Sequence, residues 1–264
     1  MNDGGSSPKN WHSEDGFEYA LFPAKTEKAQ GLVIYMHGIG DNAQNFDYVA
    51  AMIQNKMPGA AVISLQGPRE FQDPQIPAGQ KGYAWFPFGG PIMPQVKTLL
   101  SHLFNRVAVV DQVRNFAHKQ LGKLGLTEEN LAYAGVSMGS IVGLQAGLGT
   151  NKAVAAIVAR GGAVPPLTRM KNKSAEVFLQ MGEWDELFNT GEPPREKNIF
   201  KRIFNAVSDK FGLRHERSIE RLQRNKIAVT SKLYPMQGHI LDVDAWQDSA
   251  DFIVKALQKK APKP

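Results

Sequence analysis

The stretch Leu131-Ala132-Tyr133-Ala134-Gly135-Val136-Ser137-Met138-Gly139-Ser140 decides how the rest of the chain is read. It opens with a short apolar run rich in strand formers, which meets Gly-x-Ser-x-Gly and then a pattern of small residues at helical spacing. That is a strand, a sharp turn and a helix, with Ser137 at the turn. Gly135 and Gly139 flank it because a Cβ at either place would crowd so tight a bend, and the strain holds the hydroxyl above the end of a sheet. Ser137 is therefore the candidate nucleophile.

Working outward, strands and helices alternate. Strands are expected at 17–22, 31–36, 60–65, 154–159, 176–181 and 227–233. Helical spacing runs from Phe46 to about Met57, over 96–121 with Gly122 and Gly125 ending it, from Met138 to about Leu148, and from about Val243 to Leu257. Gly139, Gly143 and Gly147 recur every four residues, so one face of the third helix can lie close to a sheet. Alternation of this kind predicts an α/β protein, a mainly parallel central sheet with helices on both faces. The Pro/Gly/aromatic stretch from Gln66 to Pro94 is read as a long ordered loop. Residues 190–214 interrupt the alternation: Ile199, Phe200, Ile203, Phe204, Val207 and Phe211 share one helical face against Lys197, Lys201, Arg202 and Lys210. This is an inserted amphipathic helical segment, read as packing on the body of the domain or capping the site, or else as a basic surface that meets a membrane or a lipid-like substrate.

At 264 residues and 42% hydrophobic the chain suits one domain, taken as 15–258, between a loose N-terminus at 1–14 and a basic tail at 259–264. No cysteine is present, which excludes disulfides, thiolate metal sites and a cysteine nucleophile. A net charge of +6 arises from 31 basic and 25 acidic residues that are interspersed, so no nucleic-acid partner is expected. No run approaches a membrane span and the start lacks a signal-peptide pattern, so a cytoplasmic location is expected.

A serine needs a base, and the base an acid that orients it. Of the six histidines, His12, His102, His118 and His215 fall in a loose end, within helices or at the edge of the insert, leaving His37 and His239. His239 lies between the last strand and the last helix, where strand C-termini converge, and is the expected base. Asp185, in Gly182-Glu183-Trp184-Asp185-Glu186, completes the chain order Ser, Asp, His, with Glu183 and Glu186 left open as alternatives. Donors for an oxyanion are expected from the backbone amides of Met138 and of Ile39, in the glycine turn His37-Gly38-Ile39-Gly40 that His37 shapes.

Together these residues resemble the phospholipase/carboxylesterase family of α/β-hydrolases, which includes bacterial carboxylesterases and acyl-protein thioesterases. The similarity lies in His37-Gly38-Ile39-Gly40-Asp41, Trp85-Phe86, Gly135-Val136-Ser137-Met138-Gly139, the Gly182 to Asp185 turn and Gly238-His239, in the family's order. Met138 stands where glutamine is usual, and only its backbone amide is required. The resemblance implies an α/β-hydrolase fold, a triad of Ser137, Asp185 and His239, an oxyanion hole at Ile39 and Met138, and Trp85 beside an acyl pocket. It implies acyl ester or thioester substrates, lysophospholipids or acylated proteins, and no cofactor or metal. Trp85, Phe86 and Phe88, with Phe200 and Phe204 of the insert, are the expected apolar pocket. A chain on this fold that binds lipid or protein through the insert without catalysis is the alternative. Contact with a membrane, an acylated protein or a second copy of the chain stays open.

Overall fold

The computed structural model describes residues 11–72, 76, 80–87, 108–188 and 213–260. Ten strands are formed there: β1 Trp11–Glu14, β2 Phe17–Phe22, β3 Gly31–Met36, β4 Ala60–Leu65, β5 Arg69–Phe71, β6 Gly82–Ala84, β7 Leu131–Val136, β8 Ala156–Arg160, β9 Glu176–Gly182 and β10 Ala228–Tyr234. Eight of them make one sheet in the order β1-β2-β4-β3-β7-β8-β9-β10. The β1–β2 and β2–β4 pairs are antiparallel, and every pair from β4 to β10 is parallel. The glycine turn after β3 and the elbow after β7 therefore come from neighbouring strands, at the same end of the sheet.

The two-residue period of the strands divides the core. Leu32, Ile34, Met36, Leu131 and Tyr133 face one side, where they pack with helices α2 (Ala108–Leu124) and α3 (Met138–Leu148). Val33, Tyr35, Ala132 and Ala134 face the other, against α1 (Asp47–Lys56) and α5 (Val243–Lys260). The amphipathic faces are those of the spacing: Val49, Ala50 and Ile53 of α1 are buried, as are Val113, Phe116, Ala117 and Leu121 of α2. Helix α3 is buried on nearly every side, and a Cβ at Gly147 would stand 2.5 Å from Ile157 Cδ1.

The structure also departs from the expectations. Trp11–Glu14, placed in the loose N-terminus, is an edge strand: Asp15 and Gly16 both have positive φ, 53° and 81°, and turn the chain into β2. Glu14 adds ion pairs to Lys119 and Lys123 of α2. Part of the supposed long loop is a two-stranded ribbon of β5 and β6. Gly122 lies inside α2, and Gly125, with φ 67°, follows its end. A further helix, α4 (His215–Arg224), packs on β9 and β10. Lys259 and Lys260 complete α5 instead of beginning a tail. The expected insert falls almost wholly outside the described residues, which resume at Leu213. Phe88 and the first part of the long helix also lie outside them. Among the described residues, no helix is long and apolar enough to cross a membrane, and no group of three or more His, Asp or Glu is placed to hold a metal ion.

Candidate active site

Ser137 sits between β7 and α3 with φ 51° and ψ −116°, a conformation a non-glycine residue holds only under constraint. The constraint is visible on both sides. Ser137 N–H donates to the Arg160 carbonyl at 2.8 Å, and the Ser140 hydroxyl donates to the Ser137 carbonyl at 2.7 Å. The flanking glycines leave no alternative residue: a Cβ at Gly135 would lie 2.6 Å from the Gly139 carbonyl group, and one at Gly139 only 2.3 Å from the Met36 carbonyl oxygen.

The glycine turn after β3 comes against this elbow, with the Cβ position of Gly38 3.5 Å from Ser137 Cβ. His37 shapes it. Its Nδ1–H donates to the Gly38 carbonyl at 2.6 Å and its Nε2 accepts from Gly67 N–H at 2.9 Å, which requires the neutral ring. Burial agrees, lowering its pKa to about 4. Trp85, 1% exposed, donates from Nε1 to the His37 carbonyl at 2.8 Å, while its own N–H points to Met138 Sδ at 3.4 Å. Gly40 N–H donates to Tyr83 O, and Tyr83 N–H to Asp41 O, so ribbon β5–β6 holds the turn as well.

His239, on the loop after β10, brings the row together. Its Nε2 is 2.9 Å from Ser137 Oγ and its Nδ1 is 2.8 Å from Asp185 Oδ2. Asp185 is fully buried at the loop after β9, where its Oδ1 accepts from the backbone amides of Leu187 (2.8 Å) and Phe188 (3.0 Å). An ionised carboxylate can only accept, so the imidazole presents Nδ1–H to Asp185 and keeps the Nε2 lone pair for the serine hydroxyl. The two loops are tied directly: Glu183 N–H donates to Tyr234 O and Trp184 N–H to Gln237 O. A Cβ at Gly182 would come within 2.1 Å of the Gly238 carbonyl oxygen, so glycine is needed for that approach. Of the alternative acids, Glu183 is exposed and accepts from Met236 N–H at 3.0 Å, and Glu186 is half-buried.

Ser137 and His239 open into a cavity of about 380 Å³ whose apolar wall includes Ile39, Phe46, Val136, Leu187, Leu241 and Trp246. Trp85 and Phe86, expected as pocket residues, are instead packed in the main core and do not line this cavity, because the ring of Trp85 is turned inward against Phe17 and His37. Sequence reasoning missed Gly182 as the contact point of the two loops, and Arg160 in the cavity wall. The second had a signal: an arginine closes the otherwise apolar run Ala156-Ile157-Val158-Ala159.

A largely parallel sheet with a strained serine elbow at its centre, and Asp and His arriving later from successive strand ends, defines the α/β-hydrolase fold. The chain belongs to the phospholipase/carboxylesterase family, whose model matches residues 18–228. It is 22% identical over 213 residues to acyl-protein thioesterase 1 of Kluyveromyces lactis, a match covering 76% of this chain and 91% of that protein. Its fold is similar to those of carboxylesterases from Mesorhizobium loti (TM-score 0.62, 15% identity, 94% of this chain and 99% of that one) and Bacillus cereus (TM-score 0.61, 14% identity, 91% and 94%). Family membership supports a serine hydrolase acting on carboxylic esters or thioesters. The family match ends before His239, whose place in the row rests on its hydrogen bonds.

Proposed function

We propose that the protein cleaves acyl esters or thioesters through an acyl-enzyme formed on Ser137. The observation that carries this reading is the unbroken row from Asp185 through His239 to Ser137, at 2.8 and 2.9 Å. In the proposed cycle Ser137 Oγ attacks the acyl carbonyl as His239 Nε2 takes its proton, and buried Asp185 holds the imidazole in the required tautomer and steadies its positive charge. The alkoxide or thiolate leaves with the proton from His239, water attacks the acyl-enzyme by the same route, and the acid departs. The amide of Met138, first in α3, and that of Ile39, in the glycine turn beside Ser137, are the proposed oxyanion donors, each worth about 3 kcal/mol of barrier. The elbow keeps its strain through the proposed cycle, since the hydrogen bonds of the Ser137 backbone to Arg160 and Ser140 do not involve the reacting hydroxyl.

The largely apolar wall of the cavity favours a short to medium aliphatic acyl group. Hydrolysis of p-nitrophenyl acyl esters of increasing length tests both parts. The expected result is a chain-length optimum and loss of turnover in Ser137→Ala. Equal rates in the mutant, or no turnover of any ester, would sink the proposal.

A further inference from the structure

Arg160 ends β8 and turns its side chain to the α1/α5 side of the sheet, into the wall of the same cavity that holds Ser137 and His239. It is 3% exposed. Its Cζ lies 3.4 Å from the centroid of the Trp246 ring, and its Nη2 donates to the main-chain oxygens of Leu241 and Asp242, both at 3.3 Å. Among the described residues its Nε has no hydrogen-bond partner, and neither has the hydroxyl of Tyr35, which lies near enough to respond to the arginine's charge.

Among the described residues no carboxylate lies within ion-pair distance of the guanidinium. Asp242 acts from farther away, its Oδ2 accepting instead from Gln237 Nε2 at 2.5 Å. Asp41, elsewhere in the cavity wall, has its Oδ1 taken by Asn42 N–H and Asn45 Nδ2. Burial lowers the Arg160 pKa to about 10, and the more distant Asp242 offsets that only in part. A cation taken out of water is costly unless a charge or a full set of acceptors meets it, and an apolar residue of similar length would cover Trp246 at less cost. The main-chain carbonyls supply only two acceptors, both to one nitrogen. An acceptor brought by a ligand would complete the set, and a planar guanidinium suits a carboxylate.

We propose that Arg160 makes this cavity selective for esters that carry a carboxylate, which the guanidinium receives while Ser137 meets the acyl carbonyl. The inference rests on the hydrolase reading above and names the substrate class of that site. The carboxylate can lie on the acyl side, as in a half-ester of a dicarboxylic acid, or on the alcohol side, as in an ester of a hydroxy acid.

The test compares kcat/KM for ethyl pentanoate, monoethyl glutarate and the pentanoate ester of glycolic acid, followed by acid release. At least one anionic ester should be preferred over ethyl pentanoate by about tenfold or more in the native protein, and which one is preferred assigns the side. That ratio should collapse in Arg160→Gln and be partly kept in Arg160→Lys. A change that merely displaced the His239 loop would lower all three rates together and leave the ratio intact. A native protein without preference for either anionic ester, or a ratio that survives in Arg160→Gln, overturns the proposal. If Arg160→Gln does not fold, competition in the native protein decides: glutarate must inhibit ethyl pentanoate hydrolysis at a concentration lower by about tenfold or more than the neutral glutaramide of the same length, and equal inhibition by the two overturns the proposal. Ethyl pentanoate turnover that is lost in Ser137→Ala keeps the hydrolase reading even where the preference fails. If no ester is turned over, calorimetric titration of glutarate decides: heat of binding in the native protein and none in Arg160→Gln supports the anion site, and no binding to either overturns it.

Discussion

Replacing Asp185 by asparagine separates the structural from the chemical role of that residue. In the native chain Oδ1 accepts from Leu187 and Phe188 N–H, and Oδ2 accepts from His239 Nδ1. An asparagine keeps its carbonyl toward the two amides, because leaving both buried donors unmade would cost about 1–3 kcal/mol each. The amide NH₂ then faces His239 and donates to Nδ1, so the ring proton moves to Nε2 and points at Ser137. The base is lost while the loop is kept. For this change in a serine hydrolase of known mechanism kcat falls by about 10⁴, close to 5.5 kcal/mol of barrier. Asp185→Asn should therefore unfold in urea near the native midpoint and hydrolyse p-nitrophenyl esters about 10⁴-fold more slowly. Asp185→Ala should lose several kcal/mol of stability as well, because it abandons the Leu187 and Phe188 amides. The reasoning fails if Asp185→Asn stays within tenfold of native activity, or if Glu183→Gln or Glu186→Gln is the more damaging change.

Two glycine substitutions should act in opposite directions in the same urea assay. Gly139→Ala drives a Cβ to 2.3 Å from the Met36 carbonyl and should destabilise by several kcal/mol, whereas Gly122→Ala, with nothing within 4 Å in the interior of α2, should gain roughly 0.5–1 kcal/mol. Trp85→Phe removes the donor to the His37 carbonyl and should cost about 1–3 kcal/mol, with a fall in kcat if the glycine turn carries an oxyanion donor; unchanged stability would contradict the role given to that hydrogen bond. Stability should also fall with acid. Burial lowers His37 and His215 from 6.5 to about 4, so between those values the unfolded chain binds protons that the folded rings refuse. Going from pH 7 to pH 5 should cost roughly 2 kcal/mol for each, lost as pH falls and regained as it rises. His215→Gln, which cannot titrate, should remove about half of that loss in denaturant titrations at the two pH values; an unchanged loss would contradict the assignment.

The legible parts of the fold were those with a period or a sharp turn. Strands such as Gly31–Met36 and Ala60–Leu65 read correctly because buried parallel strands are continuous apolar runs. The elbow read correctly because no other local geometry needs glycine on both sides of a serine at a strand end. Helix α4 did not read: of its buried residues His215, Ser218 and Leu222, two are polar, so no apolar stripe marks it. The β1–β2 hairpin did carry a signal, Asp15-Gly16, which composition at the N-terminus obscured. Within the site, its place between the last strand and the last helix selected His239, and chain order pointed to the acidic turn after β9, but which of three acids within four residues serves was beyond sequence. What separates them is three-dimensional: Asp185 points under the loop to amides two and three residues on, while Glu183 turns outward to Met236. Trp85 misled because an aromatic near a glycine turn reads equally as pocket wall or as brace, and only the direction of its Nε1–H decides.

The central claim, that Ser137 is a nucleophile activated by His239, is tested most directly by reaction with a fluorophosphonate followed by mass spectrometry of the intact chain and its peptides. The account predicts one adduct per chain, located on Ser137, absent in Ser137→Ala and formed far more slowly in His239→Ala. An adduct on another residue, or none on the folded native protein, would contradict it.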